Sequence, residues 1–237
     1  MPKTVAISQS NYIPWKGYFD LISRVDEFIL YDDMQFTRRD WRNRNQIKTQ
    51  SGLLWLTVPV QSKGNYFEAI KNIHVSDPGW AEQHWKTVRA SYARAPHFAA
   101  ISPVIESMYE AAAKEEMLSR VNMVFLQGIC EILGITTRLS WSMDYQIVEG
   151  KNERLISLCQ QAGASRYISG PAAKSYADPT QFESAGLSLE WMDYSSYPPY
   201  EQRFGDFVHG VTILDVLFNC GPSAADMIWK HPTKFDS

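Results

Sequence analysis

The chain has 237 residues, 45% of them hydrophobic and 21% charged, a globular composition with enough length to bury a sizeable core. Its 23 Lys and Arg against 26 acidic residues give a formal net charge of −3, which excludes attachment to nucleic acid or a membrane surface by bulk charge. The three cysteines, Cys130, Cys159 and Cys220, match neither a zinc ligand set nor a disulfide framework, and no apolar run reaches the roughly 18 residues of a membrane span. Reduced core thiols in a cytoplasmic protein are therefore expected. Eight Trp, twelve Tyr and eleven Phe suit either a dense core or a pocket for a flat or sugar-like ligand, and they leave a homodimer open.

Val5 to Ser8 reads as a short buried strand that runs into a polar loop. Tyr18, Phe19, Leu21, Ile22 and Val25 then recur at helical spacing, and Glu27 to Tyr31 forms a second strand ending in Asp32-Asp33. Strand, helix, strand places both aspartates and the first loop at the carboxyl edge of a parallel sheet, where open α/β sheets bind ligands. Gln46 to Thr49 and Leu54 to Val60 flank Ser51-Gly52 as a hairpin. Trp80 to Tyr92, Pro103 to Lys114 and Leu118 to Leu133 are three predicted helices, a helical insertion over about residues 78–134. A strand follows at Arg138 to Met143, then a helix at Glu153 to Gln161 capped by Asn152. Arg166 to Ser169, Pro179 to Ala185 and Leu187 to Met192 make a second β-loop-α-β unit, and two C-terminal helices flank Asn219 to Pro222. With no repeat or linker, the expectation is one α/β domain over residues 1–237: a mostly parallel, Rossmann-like sheet with a helical insertion and a β-hairpin.

The richest segment chemically is Arg38 to Lys48, where five cations and one acid interleave with Trp41, Asn43 and Asn45. Guanidinium forks fit phosphate or carboxylate in bidentate fashion, so Arg38, Arg42, Arg44 and Lys48 suit a phosphorylated ligand; the alternative is a solvated hairpin. Asp32 and Asp33 have three open roles: holding a divalent cation, orienting a histidine or substrate amine, or capping a turn. Strand alternation lets only one of them face a given site, and Asp33 is preferred.

The first loop carries no GxGxxG or Walker glycines, which argues against dinucleotide dehydrogenases and P-loop NTPases. It offers Gln9, Asn11, Tyr12, Trp15 and Lys16, with Gln35 beyond the aspartates, as ligand-binding or loop-stapling groups. His84 and His209 are the candidate bases; His74, His97 and His231 have no supporting neighbours. Lys174 follows a strand and is placed to bring charge to the same edge, or is simply an exposed loop lysine. No catalytic zinc spacing or serine elbow is present, and Cys220 is the most accessible thiol.

The runs Gln9 to Asp20, Tyr31 to Arg44, Trp55 to Pro59 and Ile213 to Gly221 resemble the WbqC-like protein family along nearly the whole chain. The resemblance implies bacterial O-antigen or polysaccharide biosynthesis and a transferase moving an acyl or aminoacyl group, glycyl included, onto the amine of a nucleotide-linked amino sugar. In that scheme the cationic cluster holds the diphosphate, Tyr12, Trp15 or Trp41 stacks on base or sugar, and His84 or His209 deprotonates the amine with Asp33 orienting it. The donor is unassigned among acyl-CoA, a carrier thioester, an aminoacyl-tRNA and an aminoacyl-adenylate. Two alternatives stand beside it: adenylate or nucleotidyl transfer, by a fold-level analogy with Lys174 in a mobile-loop position, and a non-catalytic module binding a glycan precursor or a partner enzyme.

Overall fold

Val5 and Ile7 face one side of the first strand and Ala6 the other, and all three are buried, so this strand has no wet face. Strands of that kind belong to a parallel sheet covered on both sides. The structure, a computed structural model, describes residues 2–61, 67–195 and 197–229. It contains a five-stranded parallel sheet in the order β5-β2-β1-β6-β7, built from β1 (Thr4–Ser8), β2 (Glu27–Leu30), β5 (Arg138–Trp141), β6 (Arg166–Ser169) and β7 (Ser188–Trp191). A separate antiparallel hairpin is formed by β3 (Arg44–Thr49) and β4 (Gly52–Thr57), with Gly52 at φ +104 closing its turn.

Helix α1 (Lys16–Ser23) joins β1 to β2 and packs Tyr18, Phe19, Leu21 and Ile22 into the larger core. That core also takes in the hairpin and three helices, α2 (Trp80–Tyr92), α3 (Phe98–Ala112) and α4 (Leu118–Ile132), which are the helical insertion expected from sequence. The opposite face carries a smaller core under α5 (Asn152–Gln161) and α6 (Pro179–Ser184). From β1 the chain steps outward through α1 to β2, and from β6 it steps the other way through α6 to β7. The crevice above β1 and β6 is thus the topological switch point, where ligands bind such sheets. No helix among the described residues is long and apolar enough to cross a membrane.

Three local expectations are corrected. Helix α3 starts five residues before Pro103, which sits inside it; proline marks a first turn by preference, but here apolar packing of the helix overrides that. Asn152 does not cap α5: Lys151 occupies the cap, and Asn152 Oδ1 accepts instead from the Asp178 backbone N–H at 3.2 Å. Of the two C-terminal helices, α7 (Ile213–Cys220) is α-helical, and the second is a 3₁₀ helix over Gly221–Met227.

Candidate functional site

The loop leaving β1 is held in an unfavourable shape. Ile13 is fully buried with φ +39, a left-handed conformation that a β-branched residue adopts only under constraint. The constraint comes from buried Asn45, whose Nδ2 donates to the carbonyls of Ile13 at 2.8 Å and Tyr12 at 3.3 Å. Backbone bonds add to it: Tyr12 N–H donates to Trp41 at 3.0 Å, and Ile213 N–H to Pro14 at 2.9 Å. The β1–α1 loop, the start of the hairpin and the start of α7 are thereby stitched together. Replacing Asn45 by Ala removes two buried hydrogen bonds and the restraint on Ile13, an expected loss of about 2–3 kcal/mol that chemical denaturation will measure.

Asp32 anchors the other side of this loop. It is fully buried; Oδ1 accepts from the Ser10 N–H at 2.8 Å and Oδ2 from the Ser119 hydroxyl at 2.6 Å. Burial raises its pKa, opposed by these hydrogen bonds and by the Arg42 charge. Asn122, also fully buried, donates to Ser10 Oγ at 2.8 Å and to the Arg42 carbonyl at 3.0 Å. Asp32 is thus a structural anchor, with both oxygens engaged by the loop and α4.

The cationic cluster divides. Arg42 turns inward: its guanidinium donates to Asn11 Oδ1 and lies 3.7 Å from Asp40. Lys48, also buried, donates to Gln202 Oε1 at 3.0 Å and to the carbonyls of Gly205 and Asp206. Only Arg38, Arg39 and Arg44 line an open cleft of about 400 Å³, with Asn43, Phe36 and the end of β4 completing its walls. Arg44 stacks over Trp55 at 4.0 Å and donates to the Arg39 carbonyl, while its Nε is buried without a hydrogen-bond partner among the described residues. The cleft's guanidiniums, rather than this enclosed nitrogen, supply the charge that suits an anion. Arg39, at φ +58, was not among the residues singled out from sequence, although it adjoins Arg38 in the same run.

Other positions of the same segment face a second cleft of about 270 Å³, lined by Trp41 and Asn45, by Asn11, Pro14 and Trp15 from the first loop, and by His209 and Gly210. Arg42 occupies Asn11 Oδ1, which leaves the Asn11 NH₂ as the group available to a ligand. Trp15 is seated by edge contacts to Tyr194 at 5.1 Å and Tyr197 at 5.7 Å. Its indole also fills the space beside Gly17, where a Cβ would meet ring atoms at 2.4 Å. Alanine at position 17 will therefore displace Trp15, with the cleft's ligand affinity as the readout. The imidazole of His209 packs edge-on against Phe207 at 4.5 Å; partial burial and then the charge of Lys16 push its pKa below the ordinary value, favouring the neutral, proton-accepting form.

Lys16 itself is buried, and its pKa is pushed down to about 8 by burial. Its Nζ donates to the Pro198 carbonyl at 3.0 Å and sits 5.2 Å from the ring centres of Tyr197 and Tyr200.

The remaining sequence candidates lie apart from both clefts. His84 is buried against Trp80 and Tyr12, with Nδ1 2.8 Å from the fully buried Tyr12 hydroxyl; desolvation pushes its pKa down to about 4 against a hydrogen bond to the Thr57 carbonyl. Asp33 accepts from Ser142 and lies 3.5 Å from Arg154, and neither histidine is among its partners, so the Asp33-oriented histidine expected from sequence is not assembled. Gln9 accepts from the Tyr18 hydroxyl through its carbonyl, Gln35 is exposed and bridges to Ala69, and exposed Lys174 stands over Trp191 at 5.8 Å. Burial pushes Cys130 and Cys159 up to about 12 and Cys220 to about 11, so all three are protonated thiols at neutral pH. His231 lies outside the described residues.

A family model described as the WbqC-like protein family matches residues 9–227. A Mycobacterium tuberculosis protein described as uncharacterized protein Rv1507c is 50% identical over 226 residues, covering 95% of this chain and 97% of that protein. No solved structure matches the chain.

Proposed function

The chain belongs to the WbqC-like protein family, and on that premise we propose that it transfers an acyl or aminoacyl group onto the amine of a nucleotide-linked amino sugar, in the making of bacterial O-antigen or polysaccharide precursors. The observation that carries this reading is a pair of complementary clefts, one basic and one aromatic, both lined by the segment from Arg38 to Asn45, with His209 at the aromatic one. Arg38, Arg39 and Arg44 supply bidentate donors for a diphosphate. Trp15 and Trp41 supply the flat faces on which sugar rings pack, and Asn11 a directed amide donor.

In the transfer step the amine nitrogen attacks the donor's carbonyl carbon and forms the new C–N bond, while the carbonyl electron pair moves to oxygen. In this scheme the Asn11 amide donates to that developing oxyanion. Collapse breaks the bond to the leaving group, which departs with its electron pair, and His209 takes the proton that the amine loses. A thioester or an acyl-adenylate donor satisfies this scheme equally.

Thermal-shift measurements with UDP- and dTDP-amino sugars test the binding half: the expected result is a raised Tm. Losing one charge-assisted contact in Arg44→Ala is expected to weaken binding about 10–100-fold. Mass spectrometry of the sugar after incubation with acyl-CoA or an aminoacyl-adenylate tests the transfer half. No shift with any nucleotide-containing compound overturns the reading, whereas a shift without transfer from any donor identifies a binding module.

A further inference from the structure

A buried ammonium with no compensating carboxylate is an expensive thing for a fold to keep, and Lys16 is such a group. Among the described residues it forms no ion pair, and it is only 3% exposed. What faces its Nζ is the Pro198 carbonyl and the rings of Tyr197, Tyr200 and Phe207, at 5.2, 5.2 and 5.7 Å from the ring centres. Both tyrosine hydroxyls donate away from it, Tyr197 to Asp20 at 2.7 Å and Tyr200 to Asp215 at 2.7 Å. Asp20 is in turn paired with Arg24 at 2.7 Å, and Asp215 also accepts from Tyr92 at 2.8 Å. Cys220, from α7, is the remaining titratable neighbour besides His209, and as a protonated thiol it offers no countercharge.

The π faces compensate the ammonium in part, but an apolar side chain would fill this cage without the desolvation cost. The position therefore points to a use for the charge. Through the Phe207 ring, against which the exposed His209 imidazole packs at 4.5 Å, the ammonium is at most about 10 Å from that imidazole, with the Phe207 ring between them.

We infer that Lys16 is a positioning residue whose ammonium, caged behind Phe207, acts on His209 at the mouth of the aromatic cleft. It disfavours the imidazolium, so that His209 is held as a base that meets an incoming substrate amine unprotonated. The hydrogen bond to Pro198 and the three ring contacts also tie residues 197–207, which lead directly to His209, onto α1. The importance of His209 rests on the proposed function, but the Lys16 effect is measurable without any turnover.

The test is a proton NMR titration of His209, its signal identified by loss in His209→Gln, in the wild type and in Lys16→Met, Lys16→Gln and Lys16→Arg. Methionine and glutamine remove the charge and keep most of the side-chain length; both are expected to raise the His209 midpoint by roughly half a pH unit. Arginine keeps the charge and is expected to leave the midpoint low. Unfolding midpoints of Lys16→Met at or above the wild type support the inference, since a purely structural lysine would cost stability when removed. An unmoved midpoint in both uncharged variants overturns it, as does loss of the fold in both, which would make Lys16 a structural cation. A moved midpoint with no transfer activity from any donor leaves the Lys16 inference standing and removes the proposed reaction alone.

Discussion

Replacing His209 by alanine is expected to lower kcat/KM for transfer by about 10²–10⁴-fold, the usual worth of a positioned general base, while the affinity for the nucleotide sugar changes by less than about tenfold. The split follows from geometry. His209 lines the aromatic cleft, whereas the guanidiniums that would hold the diphosphate lie in the other one. Among the described residues lining this cleft, the proton taken from the amine has no alternative acceptor of matched pKa, since Asn11, Asn45, Trp15 and Trp41 do not titrate near neutrality. Because burial and Lys16 both depress the His209 pKa, the acidic limb of the kcat/KM profile is expected below pH 6.5, with the rate rising as the imidazole loses its proton. That limb disappears in His209→Ala. His84→Gln, by contrast, is expected to leave the limb in place, because His84 faces the core. Pre-steady-state and pH-rate measurements on the three proteins check this, and retention of the limb in His209→Ala would assign the base elsewhere.

The sheet was legible because both faces of its strands are buried, which writes uninterrupted apolar runs such as Phe28-Ile29-Leu30 into the sequence. Trp80 to Tyr92 and Arg166 to Ser169 have the bounds that periodicity predicts. The site was legible as a list of residues but not as an arrangement. Arg38 to Lys48 reads as one basic cluster, yet Arg42 is taken by Asn11 and Lys48 by Gln202, Gly205 and Asp206, partners more than 150 residues away in the latter case. No local pattern encodes such pairings. Asn45 shows the same limit: its value lies in restraining Ile13, and a positive φ at a β-branched residue leaves no mark in the sequence. His84 was drawn into the site by residue type, and Asp33 by its place at the carboxyl end of the second strand. The first lies against Trp80 of α2 and Tyr12 of the first loop, and the second is matched to Arg154 on α5, so the fold gives each a partner that the local sequence does not show.

His84 nevertheless has a large predicted effect, on stability. Its folded pKa of about 4 lies below the ordinary 6.5 because a charged imidazole cannot be hydrated between Trp80 and Tyr12. Between those two values the unfolded chain binds a proton that the folded chain refuses, so stability rises with pH across this window: the contribution is complete above pH 6.5 and is lost as pH falls towards 4. At 1.36 kcal/mol per unit the full loss is about 3 kcal/mol, a large share of the 5–15 kcal/mol that hold a domain together. Asp32 and Asp215 work in the opposite direction, since burial raises both and protonation relieves each. The wild type alone therefore reports a difference between opposed effects. Urea unfolding of wild type and His84→Gln at pH 7 and pH 4.5 separates them, because the variant keeps the aspartates and lacks the imidazole. The expected result is that wild type loses about 2–3 kcal/mol more than the variant over this interval. Equal pH dependence of the two proteins would mean that His84 is hydrated in the folded state, and that the hydroxyl and carbonyl of Tyr12 and Thr57 hold it at a surface open to water.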